Sequence, residues 1–157
     1  MSRSSAMFKV TVKGLDKLMD DLDIRGKKEA ALKREVKNTA LRVRTQAQDN
    51  IRALGIIDTG TYRNSMIAET SLDGWDAEVG TPLEIGPYLE FGTDPHWPPL
   101  DALEDWARKH GFDSAYPVAK KISEKGTKPR PHLYPAFLSE EVEFVIRIRN
   151  LTERIFA

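Results

Sequence analysis

Cysteine is absent from this 157-residue sequence, which excludes disulfides, thiolate nucleophiles and cysteine-ligated zinc. Long apolar runs are absent as well: none approaches the roughly 18–20 residues needed to span a bilayer, and Met1 to Ala6 lack the apolar stretch of a secretory signal. Histidine is scarce. His96, His110 and His132 are the three present, and no two share the H-x-x-x-H spacing that sets paired ligands on one helical face. Net charge is zero, with 24 Lys and Arg against 24 Asp and Glu. There is no internal repeat and no low-complexity tract. A chain without cysteine fits a cytoplasmic product, or a particle that must not depend on redox state.

What is present is an ordinary globular composition, 40% hydrophobic and 31% charged, too apolar for disorder and long enough for one domain over residues 1–157. Charge is segregated along the chain. Residues 1–53 carry 13 basic and 7 acidic side chains, a net +6; residues 54–105 carry Arg63 against 11 acids, a net −10; residues 106–157 carry 10 against 6, a net +4. Such a pattern is poorly suited to gripping nucleic acid with the whole surface. It suits pairing between copies, the acidic middle of one against a basic segment of the next. The alternative is that each segment is simply a solvated face.

Residues Phe8 to Lys13 alternate apolar and polar, the period of a half-buried strand. Leu15, Leu18, Met19 and Leu22 then share one helical face. The strongest local signal predicts a helix from Lys27 to Ala53, in which Leu32, Val36, Ala40, Val43, Ala47, Ile51 and Leu54 recur at steps of three and four, with Gly55 placed to end it. Residues 65–70 and 75–80 read as strands joined at Asp73-Gly74 by a type I′ turn. Ile85 to Gly92 reads as a short turn or single helical turn, with Pro87 as at a helix N1 and Gly92 at its end. Pro95, Pro98 and Pro99 enforce an irregular segment, which Trp97 and Trp106 are expected to pin to the core. Helices follow over 100–110 and 115–126. Lys128 to Pro135 is expected to be extended because of its prolines. A last helix, 136–156, is apolar at Phe137, Val142, Val145, Ile148, Leu151 and Ile155.

Ile56-Ile57-Asp58-Thr59-Gly60 resembles the active-site strand of aspartic peptidases, some of them homodimers in which two carboxylates share a proton. The rest of such a site is missing: no Gly-rich flap follows, and Thr61-Tyr62-Arg63 puts bulk and positive charge beside the carboxylate. The better reading makes Asp58 the cap of the turn 59–65, with Gly60 permitting the bend. His96 lies near Asp94, Asp101 and Glu104, but on a proline-constrained turn without a second histidine. Ser65 and Ser123 sit in no nucleophile-elbow pattern. Lys120, Lys121, Lys125, Lys128 and Arg130, followed by Tyr134 and Phe137, form a basic and aromatic cluster that suits either phosphates and bases or a solvated helix face.

Three blocks in order, Asp58-Thr59-Gly60-Thr61-Tyr62-Arg63-Asn64-Ser65, Pro87-Tyr88-Leu89-Glu90-Phe91-Gly92-Thr93 and Pro129-Arg130-Pro131-His132-Leu133-Tyr134-Pro135-Ala136, preceded by Gly14-Leu15-Asp16-Lys17-Leu18 and the long helix, resemble the head–tail joining family of long-tailed bacteriophages, the neck, tail-completion or minor tail components. The resemblance runs from Val10 to Val145. It departs at Thr61-Tyr62, where the family more often has leucine, and at His132-Leu133-Tyr134, where it usually has phenylalanine. It implies an α+β fold, a small curved antiparallel sheet packed on a long helix, with a helical insertion at 94–125 and a C-terminal helix. It implies a virion part at the head–tail junction, made in the bacterial cytoplasm, whose copies form a hexameric ring. Its partners would be head-closure and tail-terminator or tail-tube proteins, with DNA passing through the channel and no membrane. No catalysis, cofactor or metal is implied. Asp58, Thr59, Gly60, Tyr88, Glu90, Phe91, Gly92, Pro129, Pro131 and Pro135 are the expected structural and assembly positions. A dimeric aspartic-type peptidase centred on Asp58 and a small DNA-binding module are the competing readings.

Overall fold

The computed structural model describes residues 8–11, 26–56 and 60–156. The amphipathic stretch 15–22 and the pair Asp58 and Thr59 lie outside the described residues. Two compact units divide the chain, one running to Leu83 and resuming at His132, the other Glu84–Pro131.

In the first unit, β1 (Phe8–Thr11), β2 (Ile67–Thr70) and β3 (Asp76–Gly80) form an antiparallel sheet in the order β1-β3-β2. Val79 is opposite Phe8 on one side and Ala68 on the other. Ala77 and Val79 alternate with half-buried Asp76 and Glu78, as period-2 side-chain alternation requires. The long helix α1 (Lys27–Ala53) packs on β2 and β3 and is the first unit's organiser. Of the expected stripe, Leu32, Val36, Ala40, Val43, Ala47 and Ile51 are buried, as the 3.6-residue period requires, whereas Leu54, just past the helix end, is 42% exposed. The end is a Schellman motif: the Gly55 N–H donates to the Arg52 carbonyl (3.1 Å) and the Ile56 N–H to that of Ile51 (3.0 Å), with Gly55 at φ 64°. Those bonds satisfy carbonyls that a helix terminus leaves without partners.

The short helix α2 (Thr61–Asn64) leads into β2. The β2–β3 connection differs from the expected two-residue type I′ turn. Ser71 donates its N–H to the Asp76 carbonyl (2.9 Å) and Gly74 its own to Ser71 (3.0 Å), giving a four-residue loop. Asp73 holds that loop by accepting from Ser71 Oγ (2.5 Å) and from the Trp75 N–H (3.1 Å). These bonds to the ionised form hold the Asp73 carboxyl below its ordinary 3.8, Ser71 contributing most.

Helix α6 (Leu133–Phe156) lies antiparallel along α1. Leu32, near the start of α1, packs with Ile148 and Leu151 near the end of α6, and with Trp75; Asn50, near the end of α1, donates to the His132 carbonyl at the start of α6 (2.9 Å). Midway, four half-buried charges close a ring. Arg42 pairs with Glu35 and Glu140, and Arg147 pairs with Glu35 and Glu140 at 2.7 Å each. Each carboxylate thus meets two guanidiniums, which offsets the cost of withdrawing it from water.

Two expectations for α6 fail. It begins at Leu133 rather than Ala136, with Pro135 inside its first turn. There a missing N–H costs nothing, because the first turn's donors have no intrahelical acceptor. Its buried face also differs: Phe144 is buried, whereas Val142 and Val145 are exposed.

In the second unit, α3 (Ile85–Phe91), α4 (Leu100–Lys109) and α5 (Tyr116–Lys125) are joined by short turns. Ala107, Ala115 and Ala119 are fully buried where α4 and α5 meet, small side chains that let two helices approach closely. Trp97 and Trp106 do not pin a core. Both are exposed, Trp97 edge-on to Tyr116 and Trp106 stacked on His110 at 4.2 Å; it is Pro98 between them that is buried.

Candidate functional site

Gly60, the described member of the Asp58-Thr59-Gly60 triplet, takes φ 79° at the N-terminus of α2, a left-handed conformation that glycine adopts without steric cost. The turn it starts is tied on several sides. Gln48 donates to the Arg63 carbonyl (3.1 Å), and Ser65 and Thr81 share a hydroxyl bond of 2.6 Å. Tyr62 shares a 2.7 Å hydrogen bond with His132 Nε2, the two rings meeting edge to face at 5.4 Å. His132 is fully buried, and Asn50 binds its carbonyl. The first and third sequence blocks therefore meet at a buried polar node of Asn50, Tyr62 and His132. Histidine spacing gives no hint of this node; the local signal for His132 is a polar ring beside the apolar start of α6, which buries only with hydrogen-bond partners.

The second block meets the front of the third within the second unit. Thr93 and Thr127 form a two-way antiparallel bridge, N–H to carbonyl at 3.1 and 3.2 Å, and their hydroxyls lie 3.1 Å apart. Arg130 donates its N–H to the Leu89 carbonyl at 2.8 Å. The glycine before each threonine makes this approach possible. A Cβ on Gly126 would overlap the Thr93 carbonyl, and one on Gly92 would overlap that of Thr127 and press Pro129 at 2.9 Å. Both glycines also have positive φ, 65° and 72°. Gly92 and Pro129 thus belong to one clasp. Pro131 is exposed just beyond it, and Pro135 lies exposed in α6.

Helix α3 has inverted polarity. Glu90 is only 2% exposed, while Tyr88 is 59% and Phe91 60% exposed, with Ile85 also outside. Ile85, Tyr88 and Phe91 follow at steps of three and form one ridge. A charge inside and an apolar ridge outside is the reverse of what a helix packing only on its own domain needs.

Among the described residues no three His, Asp or Glu side chains converge to hold a metal. His96 is exposed and bonds the Asp94 carbonyl (2.9 Å). Lys120, Lys121, Lys125, Lys128 and Arg130 are exposed in the second unit, whereas Tyr134 and Phe137 belong to α6 in the first. No helix among the described residues is long and apolar enough to cross a membrane.

The described residues form an α+β fold with a clasped helical unit and an exposed apolar ridge on α3. The chain belongs to the HK97-gp10-like family, described as "Bacteriophage HK97-gp10, putative tail-component", which matches residues 12–92, just over half its length. The match covers α1, the sheet strands β2 and β3, and α3 up to Gly92. The third sequence block lies beyond it. No curated protein and no solved structure is significantly similar to the chain. The protein is thus a phage tail-related structural component.

Proposed function

We propose that the chain is one subunit of the head–tail connector, in the neck or tail-completion layer, assembled as a hexameric ring in the virion. Head-closure and tail-terminator or tail-tube proteins are its neighbours, and DNA passes through without sequence-specific binding. It performs no catalysis and needs no cofactor or metal. The observation that carries this reading is the inverted α3, which lies within the family match. An apolar ridge kept outside on a short helix suits a joint between subunits, where aromatic side chains dominate contact energy. Segregated charge supports the same reading. Exposed acids of the middle segment, among them Glu69, Glu84 and Asp94, would repel phosphate at a channel wall and let DNA slide.

Gold-labelled antibody against a tag on the chain should mark the head–tail junction of virions, and phage lacking the gene should accumulate separate heads and tails. Label at the tail tip, or normal joining without the gene, would reject the connector. Tyr88→Asp with Phe91→Asp should keep a folded protein and lose joining. Asp58→Asn, which would abolish an aspartic peptidase, should leave joining intact.

A further inference from the structure

Helix α6 carries two apolar stripes on opposite sides, and α1 covers one. Leu133, Ala136 and Phe144 are buried, with Ile148 and Leu151 against Leu32. Leu138, Val142, Val145 and Ile146 on the other side are exposed, Val142 most of all at 63%. Leu138, Val142, Val145 and Arg149 are spaced four, three and four apart, the alternation of a two-helix seam. Charge beside this seam is polarised. Glu141 and Glu143 are exposed in the first half of the helix, Arg149 and Arg154 in the second, with Glu153 the one acid there. Among the described residues Glu141 and Arg149 have no ion-pair partner.

We propose that α6 pairs with α6 of a second copy, antiparallel about a two-fold axis between Val142 and Val145. In that register Val142 of each copy meets Val145 of the other. Leu138 lies on the aliphatic stem of the other copy's Arg149, whose guanidinium reaches toward Glu141. Parallel copies would instead stack acid on acid and base on base, so the charge pattern selects the antiparallel pair. The same chain's stretch 15–22 is the other apolar candidate, but its Asp16, Asp20 and Asp21 would bring more acid to Glu141 and Glu143. The pairing is isologous and uses a surface other than α3, so it stands apart from the connector reading. A seam of four residues is small beside the roughly 800 Å² per partner of a lasting complex, so the dimer forms with rising concentration.

Sedimentation of the full chain over a concentration series should show a monomer–dimer equilibrium, abolished by Val142→Glu with the melting temperature unchanged. Glu141→Arg and Arg149→Glu should each weaken the dimer alone, and the two variants mixed should dimerise at least as well as the parent chain. A monomer at every concentration overturns the proposal, as does a dimer indifferent to Val142→Glu. A monomer whose Val142→Glu variant melts earlier points to an occupant from the same chain and overturns it too. Mixing without recovery overturns the antiparallel register.

Discussion

The first unit gathers Leu32, Val36, Val43 and Ile51 of one helix into near-zero exposure, whereas the second closes around alanines and leaves Ile85, Tyr88, Phe91, Trp97, Leu100, Trp106, Phe112 and Tyr116 outside. The difference separates two sources of order. Burial of large apolar side chains stabilises the first unit, at about 25 cal/mol per Å² withdrawn from water. The second is held by backbone geometry, a pair of threonines bridged through two glycines. Among its exposed aromatic side chains, Tyr88 and Trp97 are more than half open to solvent, the kind of surface that marks contact sites.

The largest effect that sharpens this contrast is expected at the centre of the first unit. Ile51→Ala should cost about 3–4 kcal/mol through the cavity it leaves, lowering Tm by about 10 °C in a calorimetric scan. Gly126→Ala comes next. The positive-φ extended backbone, φ 65° and ψ −161°, is adopted almost only by glycine and alone costs about 1–3 kcal/mol, and the overlap with Thr93 adds to it. Hydrogen exchange should then rise at Thr93 and Thr127 while α1 amides stay protected; equal loosening of both units would break the comparison. Arg147→Met should cost about 2 kcal/mol in urea titration, since it leaves Glu35 and Glu140 each with one guanidinium in a half-buried setting.

Smaller still, Phe91→Ser should move stability by less than about 0.5 kcal/mol, because an exposed ring in the second unit contributes little to folding. A large loss would show that the ridge is covered within the chain. Smallest is Asp73, fully solvated at the loop tip. Its folded carboxyl titrates below 3.8, so its stabilisation is complete above that value and is lost as pH falls through the depressed one. Carbon-13 titration should show the depression, and Ser71→Ala should reduce it more than loss of any other single partner.

Helix α1 was legible in the sequence to the residue because one unbroken stripe of period 3.6 ends at a glycine in the place a Schellman turn requires. The strands were legible from alternation and Asp73-Gly74, although side-chain bonds to Asp73 lengthened the loop between them. Helix α6 was misread because it has two apolar stripes, and periodicity does not say which one meets α1. Pro135 is no barrier to this helix, because its position in the first turn asks nothing of its nitrogen. Trp97 and Trp106 were assigned to a core by their size, a rule that fails where a unit packs on alanine. The clasp was hidden for another reason. Gly92-Thr93 and Gly126-Thr127 are identical dipeptides, but nothing local announces that they pair across 34 residues.

The bridge between Thr93 and Thr127 has one further consequence. The chain leaves for α4 and returns from α5 through the same hydrogen-bonded pair, so what lies between them is a cassette with fixed terminals. Doubling the length of such a loop adds only about 0.6 kcal/mol of closure cost. Residues 94–125 can thus be shortened, lengthened or exchanged for another pair of helices, provided the two Gly-Thr steps remain to carry the graft.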